Sequence, residues 1–196
     1  MKIVSLEQNT PEWTAFRNEK IGASDAPIIM GVSPYQTPYD LFATKCLNRP
    51  NKVNGAMLYG RKNEEPARQL FEMLSGYSVF PMVGINDKYI WQMASFDGMT
   101  MDYSILVEIK CANEKDHAIA KENRVPDKYY PQLQHQLAVS GLDEMFYFSY
   151  RKEEGVIVKV KKDLNYIEKL IEKEEAFYIE CIVMGIPPEE VVCCSC

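Results

Sequence analysis

Asp97, Glu108 and Lys110 are the residues in this chain whose types and spacing suit chemistry. Residues 104–110 are rich in aliphatic and β-branched side chains and predict a strand. Side chains alternate along a strand, so Leu106, Glu108 and Lys110 share one face while Ile105, Val107 and Ile109 take the other. The Cα atoms of Glu108 and Lys110 then stand about 7 Å apart. Phe96-Asp97-Gly98 reads as a turn, and a hairpin built on it brings Asp97 back beside Glu108. Two carboxylates converging beside a lysine suit a hard divalent ion such as Mg²⁺, which takes oxygen ligands and keeps several waters. Such an ion polarises a phosphoryl oxygen and activates water, and the lysine orients that water or offsets developing charge. The plainer reading is a solvated Glu–Lys pair on a surface strand. The aliphatic residues interleaved with the pair favour the chemical reading, because a charge in apolar surroundings is costly unless it is used.

The chain must also supply elements that hold these residues. Its 196 residues suffice for one domain with a sizeable core. Hydrophobic residues at 46% and charged residues at 26% are ordinary for a globular protein. No apolar run approaches the roughly 20 residues of a membrane helix, and the first residues lack the apolar stretch of a signal peptide. A cytoplasmic protein with no membrane association is expected. The net charge of −6 argues against coating DNA by bulk attraction. It leaves room for a local basic channel, and positive charge gathers at Arg61-Lys62, then Lys110, Lys115, Lys121, Arg124 and Lys128, then Lys159, Lys161 and Lys162. Of six cysteines, Cys46, Cys111 and Cys181 read as small apolar fillers, and Cys193, Cys194 and Cys196 as a reduced tail without zinc spacing.

Thr10-Pro11-Glu12 opens a helix that turns Trp13 and Phe16 inward and carries Arg17 near its end. Ser24 reads as the N-cap of a segment that Gly31 stops, and Thr37-Pro38 opens a helix through residue 47. Residues 45–55 read as a loop. A longer helix is expected over 56–74, with Leu70, Phe71 and Leu74 inward and Gly76 closing it. Strands are expected at 77–83 and 88–94, a helix around 116–123, and another over 128–140 that Gly141 ends. Strands at 144–150 and 155–160 precede an amphipathic helix capped by Asp163 and running to about residue 183. About five strands bracketed by helices predict an α/β or α+β architecture. One domain over residues 1–190 is expected, followed by a cysteine-rich flexible tail over 191–196.

Four motifs in order carry a resemblance. They are Trp13-x-x-x-Arg17 with Ile21-Gly22-Ala23-Ser24; Gly60-x-x-x-Glu64 with Ala67-Arg68; Asp97 with Glu108-Ile109-Lys110; and Tyr129-Tyr130-Pro131-Gln132-Leu133-Gln134. Together they resemble the YqaJ-type viral recombinase family, to which the exonuclease of bacteriophage lambda belongs. That family lies within the restriction-endonuclease-like nucleases marked by D…ExK. The resemblance runs from about residue 11 to 159. It implies a restriction-endonuclease-like α/β core, a central mixed sheet of about five strands flanked by helices. It implies a Mg²⁺-dependent 5′-to-3′ exonuclease, with Mn²⁺ able to substitute, that degrades one strand of linear double-stranded DNA from its ends. The 3′ single-stranded overhang would serve homologous recombination by single-strand annealing. The implied partners are duplex DNA ends, two further copies in a homotrimeric ring, and an annealing protein, in a bacterial or phage-infected cell.

The resemblance also implies roles. Asp97, Glu108, the Ile109 carbonyl and Glu64 would hold metal. Lys110 would position the attacking water, Gln132 would orient the site, and Arg17, Ser24 and Ser95 would hold the 5′-terminal phosphate. Glu65 stands as an alternative to Glu64, since a shift of one residue swaps them, and Gln134 to Gln132, since residues two apart on a helix cannot both face the metals. Plainer readings exist for each: a Glu64–Arg68 helix pair, Ser24 as a cap only, Arg17 stacked on an aromatic ring. His117 reads as a loop or helix-surface residue and His135 as a packing residue. Tyr129 and Tyr130 read as packing residues rather than base-stacking ones. Two other functions suit the same residues: a structure- or sequence-specific endonuclease on the same core, and a DNA-binding protein without catalysis.

Overall fold

The computed structural model describes residues 1–50 and 55–189. The expected tail from residue 191 lies outside the described residues, as does part of the expected 45–55 loop. Local signals start and stop most helices. Thr10 accepts the Trp13 N–H and opens α1 (Pro11–Asn18). A 3-10 turn, Ala23–Asp25, leads into the short α2 (Ala26–Ile29). Thr37 and Asp40 cap each other's backbone at α3 (Pro38–Cys46). The long α4 spans Gly55–Ser75, α5 Glu114–Lys121, α6 Tyr130–Ser140 and α7 Leu164–Phe177, the last continuing as a wider helical turn, Tyr178–Val183. Gly76 and Gly141 end α4 and α6 at positive φ, where a Cβ would strain the chain.

Strands β1 (Lys2–Val4), β2 (Ile21–Gly22), β3 (Phe80–Ile85), β4 (Gln92–Met99), β5 (Leu106–Cys111), β6 (Glu144–Arg151) and β7 (Glu154–Lys161) form one mixed sheet. Their order is β1-β3-β4-β5-β6-β7, with β2 running parallel to the start of β4. β5 and β6 are also parallel, and the remaining pairs are antiparallel. The sheet thus exceeds the expected five strands by β1 and β2, which are too short to carry a pattern and exist through their partners. Alternation on β5 sorts the core. Leu106 joins Phe96, Leu133, Leu137, Tyr147 and Ile167 under α6 and α7, whereas Val107 and Ile109 join Ala67, Phe71 and Phe148 under α4. A third cluster, with Ile28, Leu41, Phe42, Trp91 and Phe177, anchors α2 and α3 against the end of α7.

Several expectations need correction. Phe96-Asp97-Gly98 is not a turn but the interior of β4; the chain reverses at residues 100–105, where the Thr100 N–H reaches the Ile105 carbonyl. The two preceding strands begin later than expected, and Ile90, placed in a strand by its sequence, is 70% exposed in the connection. Leu74 is exposed, because the buried stripe of α4 ends with Phe71. Trp13 and Phe16 are only partly buried, and α1 has no fully buried residue. Ser24 is not an N-cap: it lies inside the 3-10 turn that Gly22 precedes, and Asp25 takes the cap position of α2. His117 is buried rather than on a surface, its Nδ1 2.8 Å from Ser149 Oγ. His135 packs in the interior as expected.

Candidate active site

The site grows from an irregularity in β4. Phe80 pairs with Met99 and Met82 with Phe96, so Asp97 and Gly98 together stand opposite Pro81 alone. This is a β-bulge, which bends a strand and re-aims its side chains. Pro81 has no N–H to offer a ladder, and bulges are where strands tolerate proline. Gly98 follows because nothing larger fits: a Cβ there would come within 2.6 Å of Val79 and 2.8 Å of Val107. Gly98 pairs with Val107, which sets Asp97 beside Glu108 across the β4–β5 ladder. The Asp97 Oδ2 accepts the Ile109 N–H at 2.8 Å.

Glu108, 2% exposed, is held from three sides. Its Oε1 accepts from Lys110 Nζ and from Gln132 Nε2, both at 2.6 Å. Its Oε2 accepts from Gln136 Nε2 at 2.6 Å. Gln132 and Gln136 are four apart on α6 and therefore share a face. Gln134 points elsewhere, donating to the Lys161 carbonyl at 3.0 Å and accepting the Asp163 N–H at 2.9 Å. Gln132 is thus the glutamine that meets the acid. Gln136 carries no motif of its own in the sequence; its four-residue spacing from Gln132 is the one local signal that pairs them. Burial, reinforced by the charge of Glu108, holds the Asp97 carboxyl well above the usual carboxylate range. Burial alone would depress Lys110, but Glu108 and Asp97 outweigh it and raise the ammonium above its ordinary value. Lys110 Nζ also lies 5.3 Å from the centre of the Tyr129 ring.

The donor set suits Mg²⁺. An ionised carboxylate offers about four lone-pair sites; the three hydrogen bonds to Glu108 leave one of them on Oε2. Among the described residues, Asp97 Oδ1 accepts no hydrogen bond. Two crowded carboxylates with free oxygen sites gain from a divalent ion, and an ion with few protein ligands keeps water in its remaining positions. No three His, Cys, Asp or Glu side chains among the described residues stand close enough to hold an ion by themselves. Glu64 stands apart, 40% exposed and paired with Arg68 Nη2 at 2.9 Å. Its charge still contributes to raising Asp97. Glu65, more exposed, pairs with the same guanidinium. Arg68 is the hinge between α4 and the site, since its Nε donates to the Asp97 carbonyl at 2.9 Å. A cleft of about 410 Å³ opens here, lined by Gln8, Arg61, Glu64 and Arg68.

A second group lies along the same strand. Arg17 Nη2 donates to Ser24 Oγ at 2.6 Å. The guanidinium carbon sits 5.4 Å from the centre of the Trp13 ring, and Trp13 Nε1 donates to Ser95 Oγ at 2.9 Å. Arg17 and Ser24 are therefore in contact, and Ser95 joins them through Trp13. The parallel pairing of Gly22 with Met93 fixes this arrangement beside β4, four residues before Asp97, and Ser95 stands two residues before it. Arg17, only a quarter exposed, keeps an edge toward solvent.

The chain as a whole is similar to known proteins. The family model of the YqaJ-like viral recombinase domain matches residues 12–143. The uncharacterized protein YqaJ of Bacillus subtilis is 26% identical over 195 residues, covering 93% of this chain and 59% of that protein. Protein D345L of African swine fever virus is 26% identical over 166 residues, covering 69% of this chain and 47% of that protein. The chain thus spans about half the length of these curated relatives. An alkaline exonuclease from Laribacter hongkongensis superposes with a TM-score of 0.76 at 24% identity, over 89% of this chain and 94% of that one. A phage-related exonuclease from Haemophilus somnus superposes with a TM-score of 0.61 at 13% identity, over 85% and 96%. These likenesses carry the fold.

Proposed function

Because this chain belongs to the YqaJ-like viral recombinase domain family, we propose that it is a Mg²⁺-dependent exonuclease acting 5′ to 3′ on the ends of duplex DNA. The observation that carries the reading is the convergence of Asp97 and Glu108 on neighbouring strands, with Lys110 at 2.6 Å from Glu108. A Mg²⁺ ion held by Asp97, Glu108 and the Ile109 carbonyl would polarise the scissile phosphoryl oxygen and activate water; Glu64, the further acid from α4, would join them by releasing Arg68. Gln132 and Gln136 fix the Glu108 carboxylate so that its free oxygen site points one way. Lys110 orients the attacking water and offsets charge that builds on phosphorus. Water adds to phosphorus, the bond from phosphorus to O3′ of the terminal nucleotide breaks, and O3′ leaves with a proton. The shortened strand then carries a new 5′-phosphate, so each turnover regenerates the end it acts on. Arg17, Ser24 and Ser95 receive that phosphate, Arg17 by a forked, charge-assisted contact. The 3′ overhang would serve an annealing protein in recombination, and Mn²⁺ would substitute for Mg²⁺.

Linear duplex labelled at one 5′ or one 3′ end, and closed circular duplex, test the reading with Mg²⁺, with Mn²⁺ and with chelator. Release of 5′-labelled mononucleotide from linear DNA, requiring metal and sparing the circle, is the expected result. Cutting of the circle would mark an endonuclease instead. Binding of linear DNA without metal-dependent cleavage would mark a catalytically inactive protein.

A further inference from the structure

Arg17 belongs to a helix with no buried residue, and a long side chain on such a helix is free to wander. Its guanidinium is nevertheless gripped from below. Asp25, 2% exposed, accepts from Arg17 Nη2 at 3.0 Å through Oδ1. The other oxygen of Asp25 accepts the Gly22 N–H at 2.8 Å and pairs with Lys45 Nζ at 2.8 Å. Lys45, 7% exposed on α3, has two further donors. They go to the main-chain carbonyls of Arg17 at 3.0 Å and Lys20 at 2.8 Å. One ammonium therefore holds both the backbone of Arg17 and the carboxylate that grips its head. Gly22 lets the group close up: a Cβ there would lie 3.3 Å from Arg17 Nε and 3.4 Å from Asp25 Oδ2.

We propose that Asp25 and Lys45 are positioning residues, a buried pair that fixes the Arg17 guanidinium against Ser24 so that it meets the 5′-terminal phosphate. The proposal rests on the reading of Arg17, Ser24 and Ser95 as a phosphate pocket. Two features favour positioning over mere support of the fold. Well-packed apolar residues often serve stability as well as a buried ion pair does, so the polar group needs another reason to be here. The group also carries two cations, Arg17 and Lys45, for the single carboxylate of Asp25. The surplus positive charge lies at Arg17, the member that reaches solvent, and suits an arriving anion.

The test uses a charge-neutral double variant, Asp25→Asn with Lys45→Met, on short duplexes with a 5′-phosphate or a 5′-hydroxyl. Wild type is expected to prefer the phosphorylated end. In the double variant the rate ratio should fall toward one, and KM for the phosphorylated duplex should rise about tenfold, the scale of one lost charge-assisted hydrogen bond. The turnover at saturation should change much less, a split that a general loss of structure would not give. A wild-type ratio near one would remove the phosphate pocket, and the proposal with it. A wild-type preference that persists unchanged in the double variant would overturn the positioning role alone. Should the double variant fail to fold, Lys45→Arg decides. It keeps the charge but changes how one nitrogen reaches three oxygens, and an unchanged end preference in it would overturn the proposal.

Discussion

Glu108 shows at the scale of one residue how support and chemistry separate. Glu108→Gln keeps the size of the side chain and removes the charge that would hold an ion. Cleavage should be lost while the melting transition and DNA binding persist; wild-type cleavage rates would refute the assignment. Lys110→Ala should lower turnover by at least about a hundredfold with metal dependence little changed, as for loss of one positioned electrostatic group. The glutamines of α6 give a sharper comparison. Gln136→Ala removes a donor to an ionised carboxylate and should lower kcat/KM about tenfold, from a hydrogen bond of about 1.5–3 kcal/mol. Gln134→Ala instead strands the Lys161 carbonyl and the Asp163 N–H, and should cost about 1–3 kcal/mol of stability with turnover retained. Equal effects on turnover would mean that α6 acts only as a block.

The elements are fixed around the site by a second buried polar group. His135 of α6 places Nδ1 2.7 Å from Glu174 Oε1 of α7 and Nε2 2.8 Å from the Met93 carbonyl of β4. Gln92 donates to the other oxygen of Glu174 at 2.7 Å. Helices α6 and α7 and strand β4 are thereby pinned together one residue from Gln134 and Gln136. Burial would lower the imidazole, yet Glu174 outweighs it and raises His135 above its ordinary value. A group with a raised folded pKa contributes stability that is complete below its unfolded pKa, about 6.5, and fades as pH rises through the folded value. The difference in melting temperature between wild type and His135→Gln should therefore be largest at about pH 6 and shrink toward pH 9. A difference that grows with pH would reverse the assignment. Glu174→Ala leaves a buried partner unpaired and should cost about 3–5 kcal/mol in denaturant unfolding.

At the scale of the whole molecule, the proposed function asks a chain of net charge −6 to handle a polyanion. Three of its cations lie in this region: Lys110 and Arg17 at the site, with Lys128 bridging Asp116 and the rings of Tyr35 and Tyr129. We propose a homotrimeric ring: closed so as to turn this surface inward, it would reconcile the charge with the proposed substrate. Apolar side chains left exposed on α4, such as Leu58 and Met73, would gain cover in such an assembly. Sedimentation at micromolar concentration should give three times the 22.6 kDa of the chain. A monomer that digests long duplex without dissociating would contradict the ring. Digestion should also slow as salt rises, since contacts to phosphates release counterions.

The sequence by itself determined what depends on neighbours within about one helical turn. Thr10, Thr37 and Asp163 announced their helices, and Gly76 and Gly141 their ends, because a cap needs only the next three residues and a left-handed turn only itself. The alternation around Glu108 placed that acid and Lys110 correctly, since a strand dictates its own faces. Choices between distant partners lay with the tertiary structure. Gly98 looked like a turn residue; only pairing with β3 and β5 shows that it is there because Val79 and Val107 leave no room for a side chain. Gln132 and Gln134 were equivalent on paper until α6 settled on the sheet and turned the first toward Glu108. Asp25 and Lys45 lie twenty residues apart, His135 and Glu174 thirty-nine, and no local preference links either pair. Which charges meet in a core is decided by how layers pack, because only there does burial make an unpaired charge too costly to keep.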